Sequence, residues 1–146
     1  MDQFADVPRL ALTATADAHT RSDILTQLGI APEGLIVAGF DRPNIRYSIR
    51  PRDSLTQQLR RLLADNPGPG IVYAQTRAAT ERLAESLSDG TREVRCYHAG
   101  LPPEVRAANQ AAFVASENMV ICATVAFGMG IDKPDVRFVA HAGLPK

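Results

Sequence analysis

Residues 119–146 read MVICATVAFGMGIDKPDVRFVAHAGLPK. Met119-Val120-Ile121-Cys122-Ala123 is a short continuous apolar run, the pattern of a strand covered on both faces. Thr124 ends the run with a hydroxyl. Val125-Ala126-Phe127 leads into Gly128-Met129-Gly130, where the backbone has no Cβ to hold a ligand away. Asp132 follows, then a Lys133-Pro134 turn, and Val136-Arg137-Phe138-Val139-Ala140 reads as a second buried strand. Open α/β sheets bind ligands just past the C-terminal ends of such strands, so a hydroxyl, two glycines and a carboxylate there form a candidate site. Spacing alone leaves a second possibility open, in which Gly128 and Gly130 make a tight turn that Asp132 caps.

The preceding residues alternate helix and strand. Asp53 or Ser54 caps a helix with Leu55, Leu59, Leu62 and Leu63 at i, i+4, i+7 and i+8, and Asn66-Pro67-Gly68-Pro69-Gly70 breaks it. Ile71-Val72-Tyr73-Ala74 is a buried strand that ends in Gln75-Thr76-Arg77, and a helix carrying Leu83 and Leu87 follows. Val94-Arg95-Cys96-Tyr97-His98 is the next strand. Ala99-Gly100-Leu101 turns, and Pro102-Pro103 open a helix with Val105, Ala108, Ala112 and Phe113. Buried strands alternating with helices predict an α/β fold with a parallel sheet. The Thr76 hydroxyl, the Arg77 guanidinium and the free N–H groups of a helix start make a phosphate site; a threonine cap beside a surface arginine is the plainer alternative.

Nearer the N-terminus, Arg9-Leu10-Ala11-Leu12-Thr13-Ala14-Thr15-Ala16 reads as a strand ending in hydroxyl residues. Asp17 is placed to cap a helix whose apolar side is Ile24, Leu25 and Leu28 and whose end is Gly29, with His19 exposed. Leu35-Ile36-Val37-Ala38 is another short strand. In Phe40-Asp41-Arg42-Pro43-Asn44-Ile45-Arg46-Tyr47, Pro43 biases Arg42 away from helix, which suits an extended connection. A boundary is therefore expected near residue 40, between domains 1–40 and 41–146.

The 146 residues carry zero formal net charge, so contact with nucleic acid must come from a local patch. The basic residues are 14 arginines and 2 lysines, and Arg42, Arg46, Arg50 and Arg52 form one such run. Cys96 and Cys122 lie in apolar runs without a C-x-x-C, the pattern of buried thiols in a reducing compartment. Cys96 and His98 lack third and fourth partners for a metal, and no serine or carboxylate is spaced to make a triad with His98, so no metal site is expected. No apolar run reaches the length of a membrane span. Asp17-Ala18-His19 lacks the paired acids of a DEAH box, and no G-x-x-x-x-G-K-[ST] occurs.

ATVAFGMGIDKPDVRFVAH, Ala123 to His141, resembles motif V of superfamily 2 helicases in the form carried by the RecQ family of DNA helicases. LTATA (Leu12 to Ala16) is similar to that family's motif III, FDRPNIRY (Phe40 to Tyr47) to its interdomain crossing, IVYAQTR (Ile71 to Arg77) to motif IV, and YHAGL (Tyr97 to Leu101) to the segment between motifs IV and V. The resemblance covers residues 9–146 and implies a RecA-like (P-loop NTPase-type) parallel sheet: the tail of the first such domain and most of the second, ending before motif VI. It implies a parent that unwinds DNA 3′ to 5′ in recombination and repair at the expense of ATP and Mg²⁺, the Mg²⁺ ligands lying outside this chain. Gly128, Gly130 and Asp132 would border the ATP cleft. Thr76, Arg77, His98 and Thr124 would contact single-stranded or partly duplex DNA, and Thr13 and Thr15 would sit at the interdomain cleft. The implied partners are DNA, ATP and the remaining helicase domains, with no membrane. The implied location is the bacterial cytoplasm at the nucleoid, or the nucleus in a eukaryote. Alternatives are an RNA helicase of the same superfamily and a non-catalytic module that binds nucleic acid or a protein partner. Lacking the phosphate cradle and the metal ligands, the isolated chain is expected to hydrolyse no ATP.

Overall fold

Proline and glycine punctuate the C-terminal two thirds of the chain, and between them the apolar residues fall at strand or helix spacing. A computed structural model describes residues 7–39, 42–128 and 131–143. The chain divides into two compact units, Met1–Ser48 and Ile49–Lys146. Phe40 and Asp41, in the segment expected to hold the boundary, lie outside the described residues.

In the first unit, helix α1 spans Ala18–Leu28. Asp17 caps it by accepting the Thr20 N–H at 2.8 Å, which holds the Asp17 carboxyl below the usual carboxylate range. Gly29 ends it with φ 61°, donating to Leu25 and Thr26 carbonyls, and this left-handed stop is open to glycine at little cost. His19 is exposed as expected and lies 3.1 Å from Asp23. A single 3₁₀ turn follows at Pro32–Gly34.

The two strands expected here, over 9–16 and 35–38, do not form. Leu10, Leu12 and Ile36 are 82%, 85% and 93% exposed. An apolar run becomes a strand only when a neighbour takes its N–H and C=O groups, and among the described residues none pairs with these runs.

The second unit carries α2 (Leu55–Asp65), β1 (Gly70–Tyr73), α3 (Arg77–Leu87), β2 (Val94–Tyr97), α4 (Pro103–Ala115), β3 (Val120–Ala123) and β4 (Phe138–His141). The four strands are parallel, in the order β2-β3-β1-β4. Strand alternation sorts the central residues onto two faces. Val72, Ala74, Val120 and Cys122 pack with Leu59 and Leu63 of α2 and Leu83, Ala84 and Leu87 of α3. Ile71, Ile121 and Ala123 pack on the other face with Phe113 of α4, Met119 and Phe127. Phe113 and all of β3 are 0% exposed. Each large side chain so buried contributes about 1.5–3 kcal/mol, which makes β3 the axis of the unit.

Sequence and structure differ at β4. It was expected to be buried, but its burial alternates, with Val139 52% exposed. The reason is position: among the described strands β4 is an edge, bonded to β1 alone. Gly70 lets it approach, because a Cβ on Gly70 would overlap the Phe138 ring.

Candidate nucleic-acid interface

Parallel strands end on the same side of a sheet, and here they end in step. Tyr73 is level with Ala123 and with His141, and Ala123 is level with Tyr97. The residues that follow, Gln75-Thr76-Arg77, Thr124, His98 and Ala142, therefore share one edge. Neighbouring strands lie about 4.8 Å apart, so the loops after β1, β3 and β2 are adjacent. Thr76, Arg77, His98, Thr124 and Gly128, far apart in sequence, come to this edge together.

Each residue has a distinct local setting. Thr76 caps α3, its Oγ accepting the Ala79 N–H at 3.2 Å and its carbonyl accepting the Thr80 N–H at 3.0 Å. The hydroxyl keeps its own proton to donate. The N–H groups of Arg77 and Ala78 belong to the first turn, which has no intrahelical acceptors. Arg77 is exposed at the first helical position. Together these supply a hydroxyl, a cation and the positive end of a helix dipole, the chemistry that receives a phosphate oxygen.

Thr124 donates its N–H to the Tyr97 carbonyl at 3.2 Å and accepts the Phe127 N–H at 3.0 Å, so it closes a turn. Phe127 anchors that turn: it is 3% exposed and lies against Tyr97 and Phe113 with centroid distances of 4.7 and 5.7 Å. The Tyr73 hydroxyl donates to the Phe127 carbonyl at 2.9 Å, and its ring stacks on His141 at 5.2 Å. Desolvation pushes the Tyr73 phenol above its usual range. Gly128 has φ 109°, and a Cβ there would come within 2.7 Å of the Tyr73 hydroxyl, so both backbone and space call for glycine. Asp132 is exposed, beyond Ile131, whose N–H reaches the Gly128 carbonyl at 3.4 Å. Gly130 lies outside the described residues.

His98 has a different setting from the others. It is 2% exposed, its Nδ1 accepts the Gly100 N–H at 3.2 Å, and its Nε2 lies 3.0 Å from Glu81 Oε1. The first contact puts the ring proton on Nε2, which donates to Glu81. Both ring nitrogens are therefore engaged within the protein. Thr13 and Thr15 belong to the first unit and are exposed, the Thr15 N–H resting on Thr13 Oγ at 3.2 Å.

Lys133, which reads in the sequence only as part of a turn, has a structural role. Its side chain is 4% exposed, and its ammonium donates to the Val114 and Ser116 carbonyls at 3.2 and 2.8 Å and meets Asp135 at 2.9 Å. It also lies 5.5 Å from the Phe113 ring centroid. A lysine thus caps the end of α4 from the loop that carries Asp132, and it holds the Asp135 carboxyl below its usual range. Nothing in the local sequence marks it, because the carbonyls it satisfies are 17 and 19 residues away.

Cys96 and Cys122 are free thiols on adjacent strands. Burial pushes Cys122 up to about 12, with Cys96 adding to the shift; desolvation and then Glu81 raise Cys96. Among the described residues no group of three or more His, Cys, Asp or Glu could hold a metal ion. The loop after β3 carries the Gly128 turn and the exposed Asp132 carboxylate.

An α/β unit with a parallel four-stranded sheet and its loops gathered at one edge is the form of a helicase C-terminal domain, and the family model "helicase conserved C-terminal domain" matches residues 54–146. A crystal structure of the RNA helicase Prp28 from Chaetomium thermophilum bound to ADP superposes with a TM-score of 0.53 at 26% identity, over 64% of this chain and 24% of that one. The fold is RecA-like. The ATP-dependent DNA helicase RecQ of Pasteurella multocida is 44% identical over 144 residues, 98% of this chain and 23% of that protein. The RecQ-like DNA helicase BLM of Xenopus laevis is 38% identical over 99% of this chain and 11% of its own length. The chain belongs to the RecQ family of superfamily 2 helicases, and it spans about a quarter or less of the length of these relatives.

Proposed function

We propose that this chain serves an ATP-dependent DNA helicase of the RecQ type, in which its second unit grips single-stranded DNA and forms one wall of the ATP cleft. The observation that carries this is the shared edge of β2, β3 and β1, where Thr76, Arg77 and Thr124 stand side by side in a chain similar to RecQ over nearly its full length. Thr76, Arg77 and the first amides of α3 take one phosphate, and Thr124 with the 124–128 turn takes another. Both contacts read the backbone and carry no base information. Asp132 and Gly128, on the loop after β3, face the nucleotide, with Gly130 between them in sequence. Thr13 and Thr15 belong to the tail of the first RecA-like domain, which ends near residue 40, and serve interdomain coupling in the complete motor.

In the complete motor, closure on ATP and opening after hydrolysis alternate the grip and move the strand 3′ to 5′, in the service of recombination and repair. The phosphate cradle, the Mg²⁺ ligands and the arginines that meet the γ-phosphate come from the remaining helicase domains, and the 146-residue chain alone turns over no ATP. The described residues hold no helix long and apolar enough to cross a membrane.

The test is a titration of fluorescent single-stranded DNA with the chain at two salt concentrations, with and without an ATP analogue and with RNA of the same sequence as competitor. Salt-sensitive binding that ignores the analogue supports phosphate contact without a complete nucleotide site. Binding that strengthens with the analogue refutes the division of labour proposed for the cleft. Preference for RNA over DNA moves the chain to the RNA-helicase alternative. A DNA-stimulated ATPase that co-purifies with the chain and survives Asp132→Ala refutes the role given to Asp132.

A further inference from the structure

The Arg77 side chain does not stand free of the surface. A Cβ built on Gly100 would lie 3.1 Å from Arg77 Cδ and 3.2 Å from its Nη1, so the arginine stem rests on the bare backbone of the turn after β2. The same Cβ would lie 3.2 Å from His98 Nδ1. Gly100 therefore fills a slot between an imidazole and a guanidinium, and a side chain in that slot would push on both.

The slot is held by His98. Its Nδ1 accepts the Gly100 N–H, its carbonyl accepts the Leu101 N–H at 3.1 Å, and its Nε2–H donates to Glu81. Glu81 lies on α3 one turn after Arg77, which is the first residue of that helix. The buried imidazole thus ties the 98–101 turn to the helix that carries the arginine. The 2% exposure of His98 shields the Nδ1 bond from water, while the Glu81 carboxylate at the other end of the tie stays 57% exposed.

We propose that His98 is a positioning residue for the DNA grip: through Gly100 and Glu81 it fixes the surface on which Arg77 lies, so that the guanidinium meets a phosphodiester of single-stranded DNA at the sheet edge. This rests on the DNA-binding role proposed above for Arg77. Gly100 is the matching part, a residue whose missing Cβ admits the arginine stem. A rotamer-rich arginine pays for each phosphate contact in lost freedom, and holding its stem beforehand lowers that cost.

The experiment is a double-mutant cycle read by titrating fluorescent oligo-dT with the 146-residue chain across a salt series, with circular dichroism melts on every variant. Arg77→Ala is expected to weaken binding by roughly tenfold and to lower the salt slope by about one. His98→Gln keeps a donor near the Nε2 position but loses the acceptor at Nδ1. It is expected to reproduce both losses and to add less than about twofold when Arg77 is already alanine. His98→Asn, with an acceptor near the Nδ1 position but no donor to Glu81, is expected to rescue part of the loss.

A purely structural histidine predicts something else: equal weakening by His98→Gln with and without Arg77, or an unchanged salt slope. Either result overturns the proposal, as does unchanged binding in His98→Gln while Arg77→Ala weakens it. Where His98→Gln does not fold, Gly100→Ala takes its place in the same cycle, with the same two outcomes. Failure of the wild-type chain to bind at all overturns the DNA-grip role itself, a result distinct from a cycle without coupling.

Discussion

Replacing Lys133 with methionine tests whether the loop carrying Asp132 is held by the end of α4. Methionine keeps an unbranched stem against Phe113 and removes only the ammonium. Four interactions go: the bonds to the Val114 and Ser116 carbonyls, the pair with Asp135 and the ammonium's weaker attraction to the Phe113 ring. Hydrogen bonds from a charged donor contribute about 1.5–3 kcal/mol each. The carbonyls sit at a helix terminus where water can replace the lysine, so the lower figure applies to both. Asp135 is 39% exposed and rehydrates, so its pair counts for less than about 1 kcal/mol. Relief of the buried ammonium's own desolvation offsets part of the sum. The expected net loss is about 2 kcal/mol, with Asp135→Asn costing distinctly less. The assay is urea unfolding followed by near-ultraviolet circular dichroism of Tyr73 and Tyr97, both of the second unit, since Tyr47 is 83% exposed and reports little. Amide exchange at Phe127 and Ile131, whose N–H groups close the turns before Asp132, is expected to quicken. A change under about 0.5 kcal/mol, with exchange in the loop unaltered, would refute the capping role.

Three further outcomes follow from the same geometry. Cys122 is a thiol whose folded-state value, about 12, lies above its unfolded one near 9, so the folded chain holds its proton longer; this stability is complete below pH 9 and is lost as pH rises toward 12, and an alkaline stability profile that is identical for wild type and Cys122→Ala contradicts it. Asp17→Ala removes the α1 cap, and because hydrogen bonding lowers the Asp17 value, acid removes the cap only at pH below the usual carboxylate range; amide exchange in residues 18–21 should quicken in the variant at neutral pH, and unchanged exchange there speaks against capping. Gly70→Ala sets a methyl against the Phe138 ring and should detach β4, costing about 1–3 kcal/mol, with exchange rising at Ala142, whose N–H bonds to Tyr73; a variant of wild-type stability rules out the close approach.

The strand-helix alternation of the second unit was legible because its residues carry their own partners. Val120 to Ala123 find a strand on each side within this chain, and the helix of Leu55, Leu59, Leu62 and Leu63 finds the sheet it was patterned for. Leu10, Leu12 and Ile36 carry equally apolar runs, yet apolarity alone forms no strand without a neighbour's hydrogen bonds. Phe138 to His141 were overread for the related reason that a run's burial depends on its rank in the sheet, which only the topology gives. At the site, Thr76 and Arg77 were visible as a helix start with a hydroxyl and a cation. The Gly100 slot, the engagement of both nitrogens of His98 and the Lys133 cap were not, because each joins residues that the fold alone brings together.

The proposed path of single-stranded DNA runs along the C-terminal edge of the parallel sheet. Its most direct test is an amide-resolved map, by nuclear magnetic resonance, of the chain titrated with oligo-dT at low salt. The predicted result is a perturbed surface at 75–78, 98–101 and 124–128, with the opposite edge around Gly68, Glu93 and Asn118 silent. Perturbation centred on that opposite edge, or confined to the arginine run 42–52 with the three loops unmoved, would contradict it.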